Sequence, residues 1–242
     1  MAQGLNVAFD LYKANEEKVD IMKRIKLAPS ILNADFSELR NQIKAVEPFA
    51  DMIHLDVMDG NFVPNITFGP LIIEAVRKIT NLPLDVHLMI YNPPEWIETF
   101  REAGADRISF HVQASENPDV VLRAIRALGA SPGLALSPEV PVFELRPYLQ
   151  FLDFVVVMLV YPGFGGQEMM SEMLNRVGAI KREAIEMGVN IEVEVDGGVK
   201  TENLSRVIEA GSDIVVVGSS IFKSESISNS AREIRSLLYS GR

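Results

Sequence analysis

The chain has 242 residues, 48% of them hydrophobic, which is enough for one large core and fits a single α/β unit. Its formal charge of −10 argues against nucleic acid, which needs a basic footprint, and with no cysteine it can form neither disulfides nor thiolate metal sites. No apolar run approaches a membrane span, and a start containing Lys13, Glu16, Glu17, Lys18 and Asp20 is unlike a secretory signal, so a soluble cytoplasmic protein is expected.

Residues 1–24 read as an appended extension with a short polar helix over 15–22 and no motif. The catalytic unit is expected over 25–242. From Leu27 the pattern becomes strand, turn, helix, repeated. Strands are expected over 27–32, 52–57, 84–89, 107–112, 133–136, 154–159, 191–196 and 214–218. Helices are expected over 36–47, 70–80, 94–103, 118–128, 142–149, 171–187, 202–210 and 228–239. Asp35 with Glu38 three residues later reads as a capping box, and Thr201 as a helix start. Gly104, Gly129, Gly188 and Gly211 sit where helices should stop. A weak repeat, Ala50-Asp51, Ala105-Asp106, Leu152-Asp153 and Ser212-Asp213, introduces every second strand. Eight such units predict a single (β/α)8 TIM barrel with a short N-terminal extension.

Side chains alternate along a strand, so His54, Asp56 and Met58 share one face, as do Asp85, His87 and Met89. Asp196 ends the seventh strand. In such barrels chemistry sits at the C-terminal strand ends, where His54, Asp56, His87 and Asp196 all fall. One buried histidine is usually structural; two with two carboxylates at convergent ends predict a site for one divalent metal ion. Nitrogen and carboxylate ligands suit Zn, Fe, Mn or Co without choosing among them. His111 is read as structural or as a support to the ligands. Met58, Met89 and Met158 fall near these ends, as core filling or as an apolar lid. Glycine clusters at Pro162-Gly163-Phe164-Gly165-Gly166-Gln167, Gly197-Gly198 and Gly218-Ser219-Ser220 predict a phosphate cradle built from backbone N–H groups. Deeper in the barrel, Arg107 is expected to offset Glu192 or Glu194.

A divalent ion, two acids and a phosphate anchor suit proton abstraction beside a carbonyl. One carboxylate removes a proton from one face of the carbon and the other returns one to the opposite face, with Asp56 and Asp196 as the pair. A decarboxylase would show an Asp-x-Lys-x-x-Asp run, which is absent. A Schiff-base aldolase needs an inward lysine, and neither Lys26 nor Lys200 is well placed.

The segments Ala28-Pro29-Ser30-Ile31-Leu32, His54-Leu55-Asp56-Val57-Met58-Asp59-Gly60, Phe62-Val63-Pro64-Asn65, His87-Leu88-Met89, Pro162-Gly163-Phe164-Gly165-Gly166-Gln167 and Val195-Asp196-Gly197-Gly198-Val199 resemble the ribulose-phosphate 3-epimerase family over essentially everything after residue 25. The resemblance implies interconversion of D-ribulose 5-phosphate and D-xylulose 5-phosphate in the pentose phosphate pathway. It implies one metal, zinc for instance, on His54, Asp56, His87 and Asp196, with Asp56 and Asp196 as the acid/base pair. Ser30 and His87 would contact substrate, Met58, Met89 and Met158 would shield the enediolate, and Gly163 would border the sugar. Gly165, Gly166, Gly197, Gly198, Gly218 and Ser219 would hold the phosphate. Family members are commonly homo-oligomers. Gln113, Ser137, Leu159, Tyr161 and Met169 depart from the pattern. Leu159 and Tyr161, bordering the sugar, keep allulose 6-phosphate open as the substrate. A catalytically idle sugar-phosphate-binding barrel is the alternative of another class.

Overall fold

The structure, a computed structural model, describes residues 24–240; the helix expected over 15–22 lies outside them. Eight parallel strands form one sheet in the order β1-β8-β7-β6-β5-β4-β3-β2. They are β1 (Lys26–Pro29), β2 (Ile53–Met58), β3 (Leu84–Met89), β4 (Arg107–His111), β5 (Ser131–Leu136), β6 (Phe154–Met158), β7 (Glu192–Asp196) and β8 (Ile214–Val217). The β1–β2 seam is held by a bridge between Ser30 and His54 and by reciprocal bonds. Leu27 N–H donates to Asp51 Oδ2 at 2.8 Å, and Asp51 N–H donates to Leu27 O at 2.9 Å. The expected (β/α)8 barrel is the fold.

Eight α-helices occur among the described residues: α1 (Leu39–Val46), α2 (Pro70–Arg77), α3 (Ile97–Glu102), α4 (Pro118–Ala127), α5 (Asn175–Glu186), α6 (Leu204–Glu209), α7 (Ser219–Phe222) and α8 (Ile227–Ser240). Outward strand residues such as Leu55, Val86, Ile108, Val155 and Val215 are fully buried beneath them. That leaves the inward face of each strand for other chemistry.

The repeated aspartates have a shared function at the N-terminal rim. Asp51, Asp106 and Asp213 accept the N–H of Leu27, Leu84 and Val193, each on the preceding strand. Asp153 occupies the fourth place, but its backbone partner is Pro132. Proline has no N–H to offer, and Asp153 pairs with Arg126 instead, at 2.8 Å.

Several expected boundaries are corrected. The first strand ends at Pro29 rather than 32, because Ser30 Oγ accepts Leu32 N–H and turns the chain into a 3-10 turn over Ile31–Asn33. The helix expected over 142–149 is two 3-10 turns, Val142–Leu145 and Leu149–Phe151. Pro147 lies between them, and an interior proline removes a helix bond and clashes one turn back. Asp35 caps through Ser37 N–H rather than through a box with Glu38. Thr201 does start a helical turn, Thr201–Asn203, capped by Lys200, whose N–H donates to Asn203 Oδ1. Gly104, Gly129, Gly188 and Gly211 all follow helix ends with φ between 65° and 114°.

Candidate metal centre and substrate cavity

Strand register assembles the site. Asp56 pairs with His87, His54 with Asp85 and Met58 with Met89 across β2 and β3, while Met158 pairs with Asp196 across β6 and β7. The inward faces of β2, β3, β4 and β7 are therefore polar. Those of β5, β6, β8 and β1 carry Ala135, Phe154, Val156, Met158, Ala28, Ile214 and Val216, which form two small apolar clusters.

Near the C-terminal mouth, one donor atom each from His54, Asp56, His87 and Asp196 lies within 4.8 Å of the others. Asp56 Oδ1 is 3.4 Å from His54 Nε2 and 3.7 Å from His87 Nδ1, and Asp196 Oδ2 is 3.8 Å from His87 Nδ1. Both ring nitrogens are buried and neither has a hydrogen-bond partner. Two donors about 2.1 Å from a shared ion at a tetrahedral angle stand roughly 3.4 Å apart, close to these spacings. The donor set fits a divalent ion, and the two ring nitrogens without a hydrogen bond are donors that such an ion could use.

Three of the four candidate donors are oriented by a second polar atom. His54 Nδ1 lies 2.8 Å from Asp85 Oδ2 and 3.2 Å from Glu194 Oε1. Ser30 Oγ donates to Asp56 Oδ2 at 2.6 Å. His87 Nε2 is 3.0 Å from His111 Nε2. Thr67 Oγ1 donates to Asp56 O and accepts Met58 N–H, fixing the end of β2. Sequence reasoning missed Asp85 and Thr67 in these roles. The alternation that puts Asp85 beside His87 was the available signal for the first; nothing local marks the second.

The electrostatics separate the two acids. Burial would raise Asp56, but His54 and His87 hold it far below the usual carboxylate range. Burial and the neighbouring Asp56 charge push Asp196 up to about 8. His54 is raised well above its ordinary value: burial opposes its charge, but Asp56, Asp85 and Glu194 outweigh that. His87 is lowered by burial, and His111 falls well below its usual value through burial and the nearby His87.

Beneath the centre, Arg107 meets both Glu192 and Glu194, where one or the other was expected, and Asp85 as well. Its guanidinium lies 3.1 Å from Asp85, 3.1 Å from Glu192 and 3.4 Å from Glu194. It also covers the Phe154 ring at 3.8 Å. Gly133 makes room for that ring, since a Cβ there would stand 2.4 Å from it. Burial and Asp85 raise Glu194 to about 7.

A cavity opens above the four donors. It is lined by Ser30, Asp56, Met58, Met89, Met158 and Asp196, with Gly163, Gly165, Gly166, Gly197, Gly198, Gly218 and Ser219 from the loops after β6, β7 and β8. His87 is the exception among the expected substrate contacts: it is fully buried beneath the cavity and does not line it. Met58 and Met89 pack with Val63 in a cluster apart from the main core. Leu159 does not border the sugar side. Its side chain is in the main core, and its N–H donates to Asp196 O at 2.6 Å. Tyr161 stays on the cavity rim, 56% exposed. At Gly198, φ is +66° and a Cβ would lie 2.4 Å from Met169 N, so any side chain would push the β6 loop off the end of β7. Asn33, also unforeseen, wedges its amide between the β6 and β8 loops; a Cβ on Gly165 or Gly218 would collide with it at 2.7 or 2.8 Å.

A parallel barrel with a two-histidine, two-aspartate cluster under a glycine-rimmed cavity has the form of an enzyme whose site could hold a metal ion. The sequence profile of the Ribulose-phosphate 3 epimerase family matches residues 26–222, and the chain belongs to that family. It is 47% identical to ribulose-phosphate 3-epimerase of Bacillus subtilis (strain 168) over 213 residues, covering 87% of this chain and 98% of that one. It is 46% identical to that of Synechocystis sp. (strain ATCC 27184 / PCC 6803 / Kazusa), covering 88% and 94%. It is 42% identical to the chloroplastic ribulose-5-phosphate-3-epimerase of Arabidopsis thaliana, covering 87% and 76%. Among solved structures, 3-hexulose-6-phosphate synthase from Salmonella typhimurium superposes with a TM-score of 0.69 at 15% identity, covering 90% of this chain and 100% of that one. KGPDC from Streptococcus mutans does so at 0.71 and 14%, covering 89% and 97%; at such identity both show the fold alone. The chain is an epimerase, an isomerase by class. No described helix is long and apolar enough to cross a membrane.

Proposed function

We propose that the protein inverts C3 of D-ribulose 5-phosphate to give D-xylulose 5-phosphate, with one divalent ion, zinc among the candidates, held by His54, Asp56, His87 and Asp196. The observation that carries this reading is the pair of buried, unpartnered ring nitrogens facing two carboxylates directly under the cavity. A bound ion would polarise the substrate carbonyl and stabilise the negative charge that builds up next to C3. Asp56 and Asp196 approach from β2 and β7, three places apart around the sheet, which suits proton transfer at two faces of one carbon. Before an ion binds, one acid is ionised and the other protonated at neutral pH, the separation expected of an acid/base pair. Ser30 holds Asp56 by its second oxygen, leaving Oδ1 toward the site. Met58, Met89 and Met158 keep the reacting carbon dry, which strengthens the electrostatics there. Gly165, Gly166, Gly197, Gly198, Gly218 and Ser219 supply backbone N–H groups for the phosphate, which a net acidic chain can still bind this way.

In this reading residues 25–242 are the catalytic unit and 1–24 an extension, acting in the cytoplasm within pentose phosphate interconversion. Ile66, Tyr91 and Trp96 line one exposed groove suited to a homo-oligomer contact; a monomer in sedimentation at working concentration would remove that part. The activity is tested by following turnover of ribulose 5-phosphate and of allulose 6-phosphate before and after chelation. Turnover of the pentulose that stops on chelation is expected. Preference for the hexulose would reassign the substrate, and no turnover of either with metal present would leave an idle sugar-phosphate binder.

A further inference from the structure

His87 makes its contact away from the ion site with another imidazole. His87 Nε2 and His111 Nε2 are 3.0 Å apart, a distance that accommodates one proton between them. An ion at His87 Nδ1 needs that lone pair, so the neutral ring keeps its proton on Nε2 and donates it. His111 Nε2 must then accept, leaving the His111 proton on Nδ1. That atom lies 2.9 Å from Ser137 Oγ, and Ser137 Oγ in turn accepts from Gln113 Nε2 at 3.1 Å. A hydroxyl oxygen has two lone pairs and can receive both donors. His87, His111 and Ser137 are fully buried, and the Phe62 ring covers His111 at 4.8 Å between centroids, so the His87–His111 and His111–Ser137 contacts are shielded from solvent, while Gln113 is exposed and also donates to Glu139 Oε1 at 3.4 Å.

We propose that His111, backed by Ser137 and Gln113, is a positioning residue that locks His87 in the Nε2–H form and so presents its Nδ1 lone pair to the ion. The relay rests on the metal reading above and adds the device that prepares one ligand. It also gives a common role to Gln113 and Ser137, two of the positions that depart from the family's pattern. One brings a side-chain donor and the other a hydroxyl, and together they hold the far end of the relay.

The test uses full-length protein labelled with ¹⁵N and stripped by chelator. Side-chain ¹⁵N correlations of the three histidines should show His87 protonated on Nε2 and His111 on Nδ1, unchanged on adding Zn²⁺. Zinc affinity, read by competition with a chromophoric chelator, should fall about 10–100-fold in His111→Phe. It should recover most of that in His111→Gln, whose side-chain oxygen can accept from His87. Ser137→Ala should lose several-fold. If His111→Phe does not fold, the parent's tautomers with His111→Gln and Ser137→Ala decide. His87 protonated on Nδ1, or parent-like zinc affinity in His111→Phe or Ser137→Ala, would overturn the relay while leaving the metal reading standing. Failure of the parent to take up Zn²⁺ would instead bring down the metal reading, and the relay with it.

Discussion

The floor and the mouth of the barrel interior are built from similar side chains and solve opposite problems. At the floor, Asp85, Glu192 and Glu194 converge on Arg107, and Lys26 adds a second cation 2.6 Å from Glu192. That cluster draws its cations from the chain's own residues, although Glu194 Oε1 has no hydrogen bond and lies 3.2 Å from His54 Nδ1. At the mouth, no lysine or arginine among the described residues pairs with Asp56 or Asp196, and two buried ring nitrogens have no partner. Burying charge is expensive unless it is matched. A cluster that the chain has matched is structural, and one that it leaves unmatched is a place for something to bind. His54 joins the two, with Nδ1 on floor carboxylates and Nε2 on the mouth.

The strongest way to break the comparison is at the acids. Asp56→Asn or Asp196→Asn is expected to lower kcat by about 10²–10⁴, with a melting temperature near that of the parent. Near-normal turnover in both single variants would end the two-base account. At the floor, Arg107→Met should do the converse: it strands buried carboxylates and should cost about 3–5 kcal/mol of stability by denaturant titration. Added metal should not restore it, because the missing cation belongs to the floor. Adding Glu194→Gln to Arg107→Met should recover part of the loss.

A smaller effect sharpens the comparison through pH. Asp196, raised to about 8 in the ion-free protein, holds a proton at neutral pH that an ion must displace. Metal affinity should therefore fall as pH drops below about 8, by about tenfold per unit for each proton displaced. His54, also raised, pushes in the same direction. A metal affinity flat between pH 6 and 8, measured calorimetrically, would contradict the assignment of Asp196 as a ligand.

Much of the mouth was legible because strand alternation turns sequence spacing into a shared face: His54, Asp56 and Met58 needed no tertiary information. Asp196 and the glycine loops were legible because strand ends in a barrel converge. What the sequence hid was pairing between strands. Asp85 orienting His54, and Asn33 wedged against Gly165 and Gly218, depend on register and on loop contact, which no local pattern encodes. Two fold errors had visible causes that were outweighed by apolar periodicity: Pro147 within 142–149, and Ser30 turning the chain before residue 32. Leu159 shows the reverse hazard. Its departure from the family's pattern at the end of an expected strand suggested the sugar, but the alternation of β6 sends its side chain outward into the core.

The most direct measurement is a titration of chelator-stripped protein with a divalent ion, following bound ion per chain and turnover of ribulose 5-phosphate together. The account predicts saturation at one ion per chain, with turnover rising in proportion, and loss of both in His54→Ala. Full turnover by protein holding no ion, or an ion that binds as well without His54, would contradict it.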